Sequence, residues 1–205
     1  DLAIESEAAT VTAMRLARSY DETAESAEAK LFQRLATAVA KYWICKRAPG
    51  HAAEALETLG GNGFTEEWPL ARAYRDSPLN SIWEGSGNVI CLDVLRALSR
   101  SPETLDVFFD ELEQSGGADP RLDAHIAETK AEFTRPEELE SRARRVVERM
   151  ALALQGSLLV RHAPEAVSDA FCASRLGGDA GLAYGTLPAG TRVEEIVDRH
   201  AAPVS

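Results

Sequence analysis

Glu84 stands behind Ile82 and Trp83 and ahead of Gly85, in the run Asn80-Ser81-Ile82-Trp83-Glu84-Gly85-Ser86-Gly87-Asn88. A carboxylate drawn out of water beside an indole has its pKa raised toward the range useful to a general base. Roughly twenty residues upstream, Gly60-Gly61-Asn62-Gly63 puts three glycines into four positions. Such a run permits positive φ and close approach of the main chain to a ligand such as a phosphate. The Gly85-Ser86-Gly87 stretch opens onto an apolar helical pattern, a place where main-chain N–H groups can face an anion. Each piece also has a plainer reading. A glycine run commonly caps a helix, and a glutamate near a tryptophan is commonly a half-exposed surface residue.

The elements that must position these residues read as helices throughout. Leu2, Ile4, Ala8, Val11, Met14 and Leu16 form a broad apolar stripe at helical spacing from the first residues onward, which is expected of a chain starting inside a larger fold. After the polar break Asp21-Glu22-Thr23, Leu31, Leu35, Ala38, Val39, Tyr42 and Trp43 recur three or four apart. Pro49-Gly50 should kink or divide that helix, and Gly60-Gly61 should end its continuation. Pro69 suits the first turn of a short helix over 70–75, and 89–98 repeats apolar positions at helical spacing. Ser101-Pro102-Glu103 reads as a helix start with Ser101 as N-cap, so a boundary is expected near Arg100–Pro102. Beyond it, helices are expected near 103–115, 120–133, 163–174 and 193–199, with Pro136 opening the longest tail helix. The expected class is all-α, a helical bundle with an additional helical tail.

Composition narrows the function classes. The 205 residues are 45% hydrophobic and only 6% aromatic, which suits helices better than a sandwich or barrel. Net charge is −11; residues 1–100 carry 11 basic and 14 acidic side chains, residues 101–205 carry 11 and 19. That balance, concentrated in the tail, discourages nonspecific binding to phosphate polymers. Arg142, Arg145 and Arg149 could share one helix face, but the glutamates around them favour a salt-bridged surface. Cys45, Cys91 and Cys172 are dispersed among apolar residues and read as structural thiols; with four scattered histidines they offer no metal-ligand spacing. No run is long and apolar enough to span a bilayer and no leader opens the chain, so a cytoplasmic protein is expected.

From Glu54 to Arg96 the order of these motifs resembles the carboxy-terminal helical domain of the acyl-CoA dehydrogenase family, FAD enzymes that desaturate acyl-CoA thioesters. The strings at Asn80–Asn88, Cys91–Arg96 (CLDVLR) and Ala40–Arg47 (AKxxICKR), with the helical tail, resemble its AidB-like branch. The resemblance divides the chain into residues 1–100, part of a four-helix bundle carrying FAD and substrate motifs, and residues 101–205, a helical extension. It makes Glu84 the base that removes the α-proton while a hydride passes to flavin. It lays the Gly85 backbone against the thioester and lets Trp83 wall the acyl pocket, unless that indole is simply a core aromatic. Ser86, Gly87 and Asn88 match residues near the adenine half of FAD, with Ser and Asn replacing the Thr and Gln of the commoner "EGTxxIQ". Glu57, Gly60 and Gly61 match "QxxGG", which contacts FAD across a subunit interface, although Glu57 is an unwelcoming neighbour for a pyrophosphate. Arg75-Asp76 matches "RD", and each of the two is read as part of a structural ion pair or a helix-end contact. The resemblance further implies a homotetramer, an acyl-CoA substrate and an electron-transfer flavoprotein as acceptor. It also implies that this chain alone is inactive, because the flavin-ring pocket lies in other domains. AidB-like proteins are also associated with DNA and alkylation stress. The alternative is therefore a DNA-associated flavoprotein with little dehydrogenase activity, which the acidic tail disfavours.

Overall fold

The apolar spacing becomes helix almost everywhere. The computed structural model describes residues 1–201, and among them are ten α-helices and no strand. They are α1 (Leu2–Glu22), α2 (Ala27–Thr58), α3 (Gly61–Phe64), α4 (Pro69–Asp76), α5 (Gly87–Arg100), α6 (Glu103–Glu113), α7 (Pro120–Glu132), α8 (Ala143–His162), α9 (Glu165–Phe171) and α10 (Val193–His200). Tight 3₁₀ turns occupy Ser77–Ser81 and Pro136–Glu138, and a π turn extends α9 over Cys172–Leu176. The all-α class is the observed one.

Two helices carry the architecture. α2 starts at Ser26, whose Oγ accepts a hydrogen bond from Ala29 N at 3.0 Å, a cap contributing about 1 kcal/mol. Its buried residues Phe32, Leu35, Ala36, Val39, Ala40 and Tyr42 lie on one stripe against α1, α5, α6 and α8. α8 is buried more fully: Val146, Val147, Met150, Ala151, Ala153, Leu154, Leu158 and Leu159 are all inside. A helix apolar around most of its circumference belongs at a centre, and α1, α2, α5, α7 and α9 surround it. One apolar core joins them, from Ile4 and Phe32 through Ile90 and Phe108 to Leu122, Ala166 and Ile196.

Three local expectations change. α2 is not divided at Pro49 but runs through it for 32 residues. The proline forfeits a single main-chain bond, while Arg47 pairs with Glu5 of α1 on one side and Leu56 packs on Gly63 on the other. Pro136 does not open the long tail helix. The chain makes a 3₁₀ turn there and α8 begins at Ala143, because the Arg142 guanidinium is held by the Glu132 carboxylate and by the carbonyls of Glu132 and Arg135. At the start of α6 the N-cap is Pro102 rather than Ser101, and Ser101 contributes its carbonyl, which accepts from Thr104 N at 3.0 Å. α7 is capped by Asp119, which accepts from Arg121 N and Leu122 N at 2.8 and 3.4 Å ahead of Pro120.

Candidate functional site

The link from the 3₁₀ turn to α5 is short, and its geometry is unusual. Among the described residues Glu84 is the only non-glycine with positive φ, at 58°, and Gly85 follows at 114°. A left-handed glutamate costs about 1–2 kcal/mol, so something must hold it. Lys41 of α2 does: its Nζ donates to Trp83 O at 2.9 Å and to Gly85 O at 2.7 Å, one carbonyl on each side of Glu84. Hydrogen bonds from a charged donor contribute about 1.5–3 kcal/mol each, enough to offset the strained dihedral. Gly85 is required twice over, by its φ and by Ile90, whose Cγ1 would lie 3.2 Å from an added Cβ.

This turn closes one end of a groove between α2 and α5, with a cavity volume of about 470 Å³. Gln33, Arg34, Thr37, Ala38 and Lys41 form the α2 wall, and Val89, Ile90, Asp93 and Arg96 the α5 wall. Ala38, Val89 and Ile90 give it apolar surface, while Arg34 and Asp93 pair across it at 2.8 Å. The desolvation expected for Glu84 is not supplied by its neighbours in sequence. Glu84 is exposed, and Ile82 and Trp83 face solvent at 60% and 56% exposure. A core position for Trp83 is thereby excluded, and its indole N–H reaches Asn80 Oδ1 at 3.4 Å.

Ser86, Gly87 and Asn88 form the start of α5. Ser86 accepts the first helical bond from Ile90 through its carbonyl but makes no side-chain cap, so the first-turn N–H groups of α5 have no cap from its hydroxyl. Gly87 is buried, and a Cβ there would stand 2.8 Å from Lys46 Cε and 3.4 Å from both Arg144 Nη2 and Tyr42 Cε2. Arg144 Nε donates to Tyr42 Oη at 3.2 Å, bringing a cation of the tail to this helix start. Asn88 lines a separate hollow with Cys91, Arg142, Arg144 and Arg145.

Glu57, Gly60 and Gly61 lie elsewhere. Glu57 is in the last turn of α2, about 24 Å of helix beyond Lys41 at 1.5 Å per residue, Gly60 and Gly61 follow that helix, and none of them lines the Glu84 groove. Glu57 is exposed, and Gly60 turns the chain with φ 57° and ψ −139°, outside the αL region anticipated for a helix cap. Gly63 is the glycine the packing demands, since a Cβ there would fall 2.0 Å from Leu56 O. Arg75 pairs with Glu66, Nη2 to Oε2 at 2.9 Å, and Arg72 approaches Asp76 at 3.5 Å, so each of the two lies in an ion pair.

The remaining candidates are structural. Burial pushes the Cys91 thiol up to about 11 and Cys172 up to about 12, which keeps both protonated and inert near neutrality. Arg142 is paired with Glu132, and Arg149 Nη2 with Glu128 Oε2 at 2.7 Å. Arg142 also precedes α8, so the three arginines do not share a helical stripe.

Lys41 and Lys46 lie in the Ala40–Arg47 stretch, where nothing in the sequence marks them as site residues. A lysine on an amphipathic helix gives no sign that its acceptors are main-chain carbonyls more than forty residues away.

A sequence profile described as "Acyl-CoA dehydrogenase, C-terminal domain" matches residues 1–99. Residues 1–99 are a carboxy-terminal domain of the acyl-CoA dehydrogenase family. Similarity to the AidB protein of Escherichia coli K12 continues into the tail: 36% identity over 181 residues, 88% of this chain and 33% of that protein. Glutaryl-CoA dehydrogenase of Desulfococcus multivorans is 37% identical over 98 residues, 46% of this chain and 24% of the enzyme. The crystal structure of Caenorhabditis elegans ACDH-11 in complex with C11-CoA shares the fold, with a TM-score of 0.77 at 23% identity over 84% of this chain and 34% of that one. The chain therefore spans about a third of the length of the AidB protein and of ACDH-11. Within this acyl-CoA dehydrogenase domain, the Glu84 turn lies inside the matched residues and Arg144 outside them.

Proposed function

We propose that this chain supplies the base and part of the cofactor rim of an FAD-dependent acyl-CoA dehydrogenase, with Glu84 removing the α-proton of an acyl-CoA thioester. The observation carrying this reading is the Glu84 turn itself. A carboxylate in a constrained left-handed conformation ends an apolar-walled groove, and such strain clusters at functional sites. In the desaturation, the α C–H bond breaks, its proton goes to a Glu84 oxygen, and its electron pair enters the new Cα=Cβ bond as a hydride leaves the β carbon. Bound FAD supplies the acceptor for that hydride. Gly85 leaves the main chain bare beside the reacting carbons, and Trp83 is free to meet a wall contributed from outside the described residues.

The residues present fit an anionic dinucleotide cofactor. The first-turn N–H groups of α5, the Ser86 hydroxyl, Lys46 and Arg144 are a donor-rich set for its adenine and diphosphate half. Gly60 and Gly61, remote from that set, make sense as contacts to the cofactor of a second copy, and Glu57 is the poorest fit among them. A homotetramer with the FAD site shared between subunits belongs to this proposal. Its interface would cover Leu59, Phe64, Trp68, Tyr74 and Leu79, large side chains at 45–75% exposure. The two-part division at Arg100–Pro102 is retained within this proposal, with the two parts joined by a common core. An electron-transfer flavoprotein as acceptor belongs to the same proposal.

The DNA-associated alternative takes its support from the similarity to the AidB protein, which extends into the tail. It stands second because all three tail arginines are already paired with glutamates, Arg142 and Arg145 with Glu132 and Arg149 with Glu128. Anaerobic addition of a panel of acyl-CoAs to the intact FAD-bound protein separates the two. The dehydrogenase reading expects bleaching of the flavin with at least one acyl-CoA. A flavin that stays oxidised throughout overturns it and brings the alternative forward.

A further inference from the structure

We propose that Lys41 is a positioning residue that fixes the backbone of Glu84, and through it the direction in which the carboxylate is presented to substrate. The inference rests on the reading of Glu84 as the base. Its evidence is the pair of hydrogen bonds from one ammonium to Trp83 O at 2.9 Å and Gly85 O at 2.7 Å. Two oxygens bound by one nitrogen can be no further apart than those two bonds laid end to end. Alternate carbonyls of an extended chain lie about 6.8 Å apart, so the clamp demands that residues 83–85 curl. Glu84 supplies the curl with φ 58°, a conformation its side chain does not favour. The neighbouring Gly85 at φ 114° gives the link further freedom, and a flexible tether alone would leave the carboxylate free to swing.

Lys41 is well placed for this duty. It sits in the middle of α2 between the buried Ala40 and Tyr42, on the longest and most heavily packed helix of the first hundred residues. It lines the same groove as Glu84. Its stem is thus anchored to the rigid part of the bundle, while its charge ends at the flexible link. The opposite end of that link is pinned by Ile82 N and Trp83 N, which donate to Leu79 O at 2.9 and 3.2 Å. A base held within a fraction of an ångström of its target keeps a rate advantage that misplacement by about 1 Å can reduce about 10²-fold.

The test uses the intact FAD-bound protein as wild type, Glu84→Gln, Lys41→Met and Lys41→Arg. Lys41→Met keeps the stem and deletes the donors; Lys41→Arg restores donors on a longer arm. Flavin reduction by an acyl-CoA should slow about 10- to 100-fold in Lys41→Met, with acyl-CoA affinity changed by no more than about threefold, and Lys41→Arg should regain part of the rate. Amide hydrogen exchange over residues 82–90 should quicken in Lys41→Met and leave α8 unaffected. An unchanged reduction rate in Lys41→Met, alongside an inactive Glu84→Gln, overturns the positioning role while the base reading survives. A loss confined to acyl-CoA affinity overturns it as well. Should the wild-type flavin resist every acyl-CoA, the base reading falls, and exchange over 82–90 still decides whether Lys41 fixes this turn: faster exchange in Lys41→Met upholds the clamp, and unchanged exchange overturns it.

Discussion

Gly85 and Glu84 show how much of a site is decided by single dihedral angles. With φ at 114° and Ile90 Cγ1 3.2 Å from an added Cβ, any side chain at Gly85 is strained. Gly85→Ala should cost about 1–3 kcal/mol of local strain, read as faster amide exchange over 82–90, a lowered melting temperature and lost acyl-CoA-dependent flavin reduction. Gly87→Ala makes the contrast, because the atom it meets first is the end of the mobile Lys46 side chain. It should fold normally. The sequence made Glu84 conspicuous through its neighbours, but its left-handed φ was not legible, since glutamate has no preference for that region. Nor was its exposure, because an indole beside a carboxylate in sequence need not lie beside it in space.

At the scale of elements, apolar spacing located nearly all the helices, and the errors fall where a local signal competed with packing. Pro49 is a strong breaker in isolation, yet α2 passes through it because neighbours hold the turns on either side. Pro49→Ala should therefore stabilise the protein by about 1 kcal/mol, the recovered main-chain bond being partly offset by a more flexible unfolded chain. A urea midpoint measures this, and a destabilised variant would show that the proline is itself needed. Pro136 misled in the opposite direction: it resembles a helix start, but the Arg142–Glu132 pair keeps the chain in a turn until Ala143. Gly63 is the quiet element-level constraint. Its Cβ would strike Leu56 O at 2.0 Å, a main-chain atom that cannot step aside. Gly63→Ala should cost about 1–3 kcal/mol and shift the end of α2, measurable as a lowered melting temperature.

At the scale of the whole molecule, the two halves of the chain are tied by a charged cluster as well as by the core. Glu111 of α6, 5% exposed, accepts from Arg15 of α1 at 2.7 Å and from Arg161 of α8 at 2.6 Å. Burial pushes its carboxyl up, but hydrogen bonds and charge from the two arginines outweigh that and hold it below the usual carboxylate value. A depressed folded pKa means that the unfolded chain binds the proton more readily. The stabilisation is therefore present above the unfolded value of about 4.3 and is lost as pH falls through the folded one. Glu111→Gln should cost about 3 kcal/mol at neutral pH, since two largely buried guanidiniums lose their shared carboxylate and keep only Glu22, Gln114 and the Ser157 carbonyl as partners. Its urea midpoint should also fall less steeply than wild type as pH drops below about 4.3. Equal acid sensitivity in the two proteins would contradict the assignment. None of this cluster was legible in the sequence, where its three members are separated by as many as 96 and 50 positions.

The central claim, that Glu84 removes the α-proton, is tested most directly by following loss of deuterium from an α-deuterated acyl-CoA in the presence of the intact FAD-bound protein. The account predicts release of the label to solvent by the wild type and its retention with Glu84→Gln, which binds the same thioester but cannot accept the proton. Wild-type release that persists undiminished in Glu84→Gln would assign the base to another residue and contradict the account.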